Sequence, residues 1–423
     1  MSASQHGLLR EPDRSVLAIL EAVVGRSLPI LRVFSSKSLG VSVSDGHIHR
    51  LGLFDAGLDL LPEELANLPE LRTLCLGRNR LTALPAAIAG LTGLEELSLT
   101  ENRIVELPAG IAELHSLRYL YASHNRLAAL PESIGRLGAL IDLNLYDNEL
   151  CRLPDSLGNL SNLARLSVNR NQLEALPESF GALDRLSYCD LRQNRIAQLP
   201  ETLGGLSSLR CLHAQENLLT CLPESIGELA QLEELYLYIN RLTELPDSLG
   251  RLRSLKTLWV FRNNLTALPG SLGQLESLVD LKLWNNSIGV LPESMAGLRA
   301  LLYLDLGSNA LKSLPESLGQ LPALIHLELE SNELAALPAG LKDAVRLQKL
   351  NLNHNRLTGI PNWIGDLTAL TYLGLASNPL AALPQTLGNL PGLRLLEIDA
   401  GLSGTLVDRL RAQGCRIRQG AKQ

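Results

Sequence analysis

The sequence predicts an α/β solenoid: a curved horseshoe with a parallel sheet on its concave face and short helical or 3-10 segments on its convex face. Three observations carry this reading. A template, LxxLxLxxNxLxxLPxxIGxLxx, recurs every 23 residues, as in LYLYINRLTELP from Leu235 and LWVFRNNLTALP from Leu258. Its asparagine appears 14 times with no insertion or deletion between copies, from Asn79 through Asn194 and Asn240 to Asn378. A proline stands at the same place in 15 copies, from Pro62 to Pro384. A fixed period of this length means small units that each bury their apolar side against their neighbours.

Taken in order, residues 1–47 form a tail and a cap. Residues 1–11 read as a mobile tail. Pro12 to Val24 reads as a helix, with Val16, Leu17, Leu20 and Val24 on one face and Gly25 to stop it. Val41-Ser-Val-Ser-Asp45-Gly46-His-Ile-His alternates around Asp-Gly, the signal of a two-residue hairpin. Its second strand leads into Ile48, Leu51 and Leu53, in register with the repeat leucines, and Ala56 stands where the asparagine is expected.

Residues 48–402 form the solenoid. Number each copy from 1 to 23, starting for example at Leu71. LxxLxLxx is then a strand with positions 4 and 6 turned inward and positions 3, 5 and 7 turned outward. The asparagine at position 9 has an amide that can both donate to and accept from the backbone of adjacent turns. The proline at position 15, often followed by Glu and Ser, opens a short helical or 3-10 segment. Two departures stand out: Lys342-Asp343-Ala344 replaces Gly-x-Leu and marks the most irregular helical segment, and Trp363 occupies a convex position usually held by Ser. The last regular strand holds Leu393, Leu396 and Ile398. Residues 403–423 read as a cap helix, Thr405–Gln413 stopped by Gly414, and a tail.

Composition narrows the function. With 38 basic and 44 acidic residues the net charge is −6, which argues against nucleic acid as a partner. No apolar run approaches the roughly 18 residues needed to span a membrane. The first residues include Glu11 and Asp13 and lack the pattern of a cleavable secretory signal. Six cysteines show no paired spacing, which points to a reducing compartment. The expected location is the cytoplasm, or a host cytosol reached without a cleavable signal peptide. A monomer is expected.

The 23-residue form with LPxxIGxL, over residues 48–402, resembles the intracellular leucine-rich repeats of Ras-associated scaffolds, plant Ras-group proteins and Scribble/Erbin polarity scaffolds. It also resembles bacterial and archaeal repeat proteins, including repeat portions of secreted effectors. The resemblance implies a protein-binding concave surface; these groups share a scaffold and differ in what they bind.

The outward positions carry the functional signal. Of 15 aromatic residues in the chain, 12 fall on the 45 outward sites, against about 1.6 for random placement. They include Tyr121, Tyr146, Tyr188 and Tyr303. The densest group is Tyr236, Tyr238, Trp259, Phe261 and Trp284, of which Tyr238, Phe261 and Trp284 share position 7 in consecutive copies. Strand propensity accounts for part of this bias, but not for Tyr and Trp in place of Thr and Val on a solvent face. Arg165, Arg170, Arg192 and Arg195 precede the group; Asp280, Asp305, Glu328 and Glu330 follow it. A basic flank, an aromatic centre and an acidic flank could orient a protein partner.

Chemistry is not expected. Cys211, His213 and Asp190 have the residue types of a nucleophilic site, but i,i+2 side chains on a strand stand about 7 Å apart, too far for the hydrogen bond such a site needs. His326, Glu328 and Asp305 lie on an open strand surface without converging ligand geometry. No catalytic residue, metal or cofactor is assigned. The expected function is a non-catalytic scaffold binding a protein along the concave face. The alternatives are a bacterial effector or immune-type recogniser of a host protein, and a carbohydrate-binding surface.

Overall fold

A computed structural model describes residues 6–420, and the chain forms two compact units, Met1–His213 and Ala214–Gln423. The expected tail at residues 1–5 lies outside the described residues. The rest of that segment is built into the fold: His6–Leu8 forms a 3-10 turn, Leu9 is buried, and the Arg10 N–H donates to the Gly46 carbonyl at 2.8 Å. The apolar Leu8-Leu9 pair was too short to stand out from its polar surroundings.

In the first unit, helix α1 (Asp13–Val24) buries Val16, Leu17 and Leu20 and ends at Gly25, whose φ of 74° is left-handed. Asp13 is fully buried and accepts the Ile48 N–H at 2.6 Å. Strands β1 (Leu39–Ser44) and β2 (His47–Leu53) form the antiparallel hairpin, and Asp45 and Gly46 both take the positive φ that a tight Asp-Gly turn requires. β2 then pairs in parallel with Thr73–Cys75, Leu51 opposite Leu74. From there each copy adds one three-residue strand up to Cys211–His213.

The second unit continues the pattern with β3 (Glu234–Tyr236), β4 (Thr257–Trp259), β5 (Asp280–Lys282), β6 (Tyr303–Asp305), β7 (His326–Glu328), β8 (Lys349–Asn351) and β9 (Tyr372–Gly374). Pairing is parallel and without stagger: Tyr236 stands opposite Trp259, and Trp259 opposite Lys282. The strands are shorter than the sequence pattern suggests and end at position 5. Position 7 stays in register because the next residue bonds along the stack, as in Ile239 N–H to Phe261 O at 3.0 Å and Arg262 N–H to Trp284 O at 2.9 Å.

The repeat chemistry is visible in the side chains. Leu258, Leu281, Leu304 and their equivalents are fully buried. Asn240 donates to the Ala214 and Leu237 carbonyls at 3.0 and 2.9 Å and accepts the Leu219 N–H at 3.0 Å, and Asn194 repeats this set with Val168, Leu191 and Leu173. One amide thus bonds three backbone groups in two consecutive copies. The residue before each of the 14 asparagines is left-handed, with φ between 51° and 58°. The segments after the prolines are all 3-10, five residues each, with the proline itself extended just ahead of them. They stack closely because glycine follows the buried Ile or Leu: a Cβ at Gly158 would sit 2.3 Å from the Ser179 carbonyl oxygen.

Two expectations at the C-terminal end are corrected. Ala339–Asp343, with Lys342 in it, is as regular a 3-10 turn as its neighbours; what changes is its packing, since Lys342 cannot approach the next turn as glycine does and that pair packs more loosely. The strand Leu395–Asp399 is not the last. After helix α2 (Thr405–Ala412), Arg416–Gly420 forms a further strand parallel to it, Leu396 opposite Ile417. The tail reading failed because three basic or polar residues mask the short Cys415–Ile417 alternation. The final residues, 421–423, lie outside the described residues.

Candidate functional site

Parallel strands without stagger place equivalent side chains side by side at about 4.8 Å, close to the ideal separation of stacked rings. In the second unit the sequence uses this. Tyr238 stacks on Phe261 at 4.4 Å with an interplanar angle of 7°, and Phe261 on Trp284 at 4.6 Å and 12°. Tyr236 meets Trp259 edge-on at 5.0 Å, and Tyr238 joins the two sets at 6.3 Å from Trp259. All five aromatic residues singled out by the sequence therefore form one cluster, each ring half-buried with a face or edge in solvent.

Polar groups fix the rings. The Trp259 Nε1–H donates to Asp280 Oδ2 at 2.9 Å, and the Tyr236 hydroxyl donates to Glu234 Oε2 at 2.8 Å. The Lys282 ammonium lies 3.8 Å from the Trp259 ring centre and 3.7 Å from Asp280, and the Arg262 guanidinium lies 5.0 Å from Trp284. Asp280 Oδ1 is buried and has no hydrogen-bond partner among the described residues. The patch is thus preorganised.

One member was missed by the sequence reading. Ile239 occupies the left-handed position, φ 56°, between Tyr238 and Asn240, and is 37% exposed. In every other copy with an asparagine this position is Arg, Glu, His, Asp, Gln, Asn or Ser. A β-branched side chain is the least suited to that backbone. The signal was the single apolar residue in a polar column.

The other candidates are dispersed. In the first unit Tyr121 lies 6.4 Å from Tyr119, and burial pushes its hydroxyl pKa up to about 12. Tyr188 is likewise pushed up to about 12, by burial and then by Asp190. Tyr146 packs edge-on to His124 at 4.8 Å beneath Arg170. Arg165 is bound to the nearly buried Asp142, Arg192 to the nearly buried Asp190 at 3.1 Å, and Arg170 to Gln193 at 2.7 Å; Arg195 is exposed. Two of the four flanking arginines are thus neutralised locally. In the second unit Tyr303 is exposed and meets His326 edge-on at 5.0 Å. Lys349 pairs with Glu328 at 2.5 Å, and Asn351 donates to Glu330 at 3.0 Å. Several outward positions are covered by longer neighbours: Cys75, Asp190 and Gln215 are buried although they point away from the leucine core.

Asp190 and His213 are opposite one another on adjacent strands, and burial raises the Asp190 pKa while Arg192 opposes it. Among the described residues no three or more His, Cys, Asp or Glu side chains are placed to hold a metal ion. All six cysteines are free thiols. No helix among the described residues is long and apolar enough to cross a membrane.

These features define a repeat solenoid with an aromatic strand face. A leucine rich repeat model matches residues 62–127, 276–334 and 339–380, and a leucine-rich repeat region model matches residues 166–241. The fold is similar to that of a leucine-rich repeat protein of Leptospira interrogans, 34% identical, over 87% of this chain and 95% of that one, with a TM-score of 0.76. It is also similar to the plant peptide hormone receptor RGFR1, solved in complex with RGF2: 29% identity, 85% and 67% coverage, TM-score 0.70. A third likeness is to YopM, a leucine-rich effector protein of Yersinia pestis, with 30% identity, 83% and 89% coverage and a TM-score of 0.60. No curated protein gives a match. The chain belongs to the leucine-rich repeat family.

Proposed function

We propose that this protein is a non-catalytic binding module that holds a protein partner on the strand face of its second unit. The observation that carries this is the preorganised cluster of Tyr236, Tyr238, Trp259, Phe261 and Trp284, extended by Ile239. Half-exposed aromatic groups held rigid before binding lose little entropy on complex formation and are the residue types that anchor interfaces. On this reading residues 48–402 are the binding scaffold, and residues 1–47 and 403–423 close its two ends. The six free thiols support a reducing compartment, the cytoplasm or a host cytosol.

A second reading, an effector whose partner is a host protein, draws on the 30% identity to the Yersinia pestis effector. It uses the same face and differs in where the partner resides. A photoreactive benzoyl-phenylalanine placed at Phe261 is expected to form a protein adduct in cells, whereas the same group at Trp363 is not. Adducts at Trp363 alone, or saturable glycan binding with no protein adduct, would contradict the proposal.

A further inference from the structure

The position-7 stack of Tyr238, Phe261 and Trp284 ends abruptly. The next copy has Gly307 at that position, and the one after has Glu330. No position-7 side chain therefore follows Trp284 until Glu330, about two strand spacings or roughly 10 Å further on. A Cβ built on Gly307 would stand 3.9 Å from Trp284 Cβ, 3.4 Å from the Glu330 carbonyl oxygen and 3.3 Å from Asp305 Oδ1. Trp284 Cβ, the Glu330 backbone and the Asp305 carboxylate thus border a slot, the position that a side chain at Gly307 would fill.

The charge around the slot is unbalanced. Outward positions of the copies around it carry four carboxylates, Asp280, Asp305, Glu328 and Glu330, against three cations, Lys282, Lys349 and Arg262. The two nearest lysines are engaged by two of them, Lys282 with Asp280 at 3.7 Å and Lys349 with Glu328 at 2.5 Å. Asp305 accepts the Gly307 N–H at 3.0 Å, and Glu330 accepts Asn351 Nδ2 at 3.0 Å, so both are oriented without a paired cation among the described residues. Burial raises the Asp305 pKa; the Gly307 N–H opposes the rise, Glu328 adds to it, and Lys282 and Lys349 lower it in part. A cation arriving beside Asp305 would relieve that cost.

We infer that this slot receives an arginine side chain of a peptide or protein partner, with its guanidinium stacked on Trp284 and its N–H groups directed to Asp305 and Glu330. The inference rests on the proposed binding function and names the chemistry recognised at one end of the patch. Guanidinium suits the slot better than ammonium: it is planar, stacks on an indole and presents a fork of donors to two carboxylates. The stack already shows the contact, since Arg262 from the copy before places its own guanidinium 5.0 Å from the Trp284 ring.

The test uses the full chain and four blocked tripeptides, acetyl-Gly-Xaa-Gly-amide with Xaa as Arg, Lys, citrulline or Glu, followed by tryptophan fluorescence at near-physiological salt. The arginine peptide is expected to bind saturably. Citrulline in its place should weaken binding by about tenfold or more, since it keeps the shape and loses the charge. Gly307→Tyr, which prolongs the stack into the slot, and the double variant Asp305→Asn with Glu330→Gln should each produce a comparable loss. The exposed Glu244→Gln should change nothing; thermal melting shows that each variant is folded, and the double variant keeps the test valid if Gly307→Tyr fails to fold. No saturable arginine binding, equal affinity in Gly307→Tyr or in the double variant, or preference for the glutamate peptide would overturn the inference. If adducts still form at Phe261 in that event, the binding function stands and only the arginine assignment falls.

Discussion

Ile239 shows at the scale of one residue how stability and function separate. A left-handed backbone costs a non-glycine residue about 1–2 kcal/mol, and asparagine tolerates it best among the others. Thirteen copies place a polar residue there; this one places an exposed isoleucine directly after Tyr238 of the aromatic cluster. Strain kept beside a candidate site is strain that packing alone does not explain. Ile239→Asn is therefore expected to stabilise the fold by roughly 0.5–1 kcal/mol in denaturant unfolding while weakening capture of the partner. A variant less stable than the parent would show that the isoleucine earns its place by packing, and the strain argument would fail.

At the scale of the element, the unit is one turn of the solenoid tied to its neighbours by an asparagine. Asn240→Leu removes the bonds to Ala214, Leu237 and Leu219 and leaves buried backbone groups without partners, at about 1–3 kcal/mol each. Chemical denaturation should register a clear fall in midpoint; an unchanged midpoint would contradict the ladder. Much of this was legible beforehand. The asparagine, the inward leucines and the Asp45-Gly46 turn each announce themselves through a side chain that only one backbone role suits. The left-handed residue before each asparagine was not legible, because the asparagine ladder and the register impose that φ whatever the side chain, from Arg78 to Ser377. Arg416–Gly420 was hidden for the opposite reason: one copy of a strand, with no repeat to amplify a weak alternation. The aromatic cluster could be read from spacing, since a period of 23 with no stagger fixes which rings meet. The slot at Gly307 could not, because its content is a missing side chain between two walls.

At the scale of the molecule, a repeat fold separates two demands on one short strand. Alternate side chains go to opposite faces, so the leucines at positions 4 and 6 hold the stack together while positions 5 and 7 are free to vary. The central claim is that in the second unit this freedom is used for binding. It is tested most directly by measuring melting and partner affinity together for two proteins. One carries Tyr236→Ala, Trp259→Ala and Trp284→Ala; the other carries Leu258→Ala, one residue from Trp259 and fully buried. The triple variant should melt close to the parent, losing at most about 1 kcal/mol per stacked pair, while affinity falls by about 2 kcal/mol or more. Leu258→Ala should lose roughly 2–5 kcal/mol of stability by opening a cavity, with affinity retained in the molecules that remain folded. A triple variant that melts normally and binds at full strength would contradict the account and move the search to the face around Trp363.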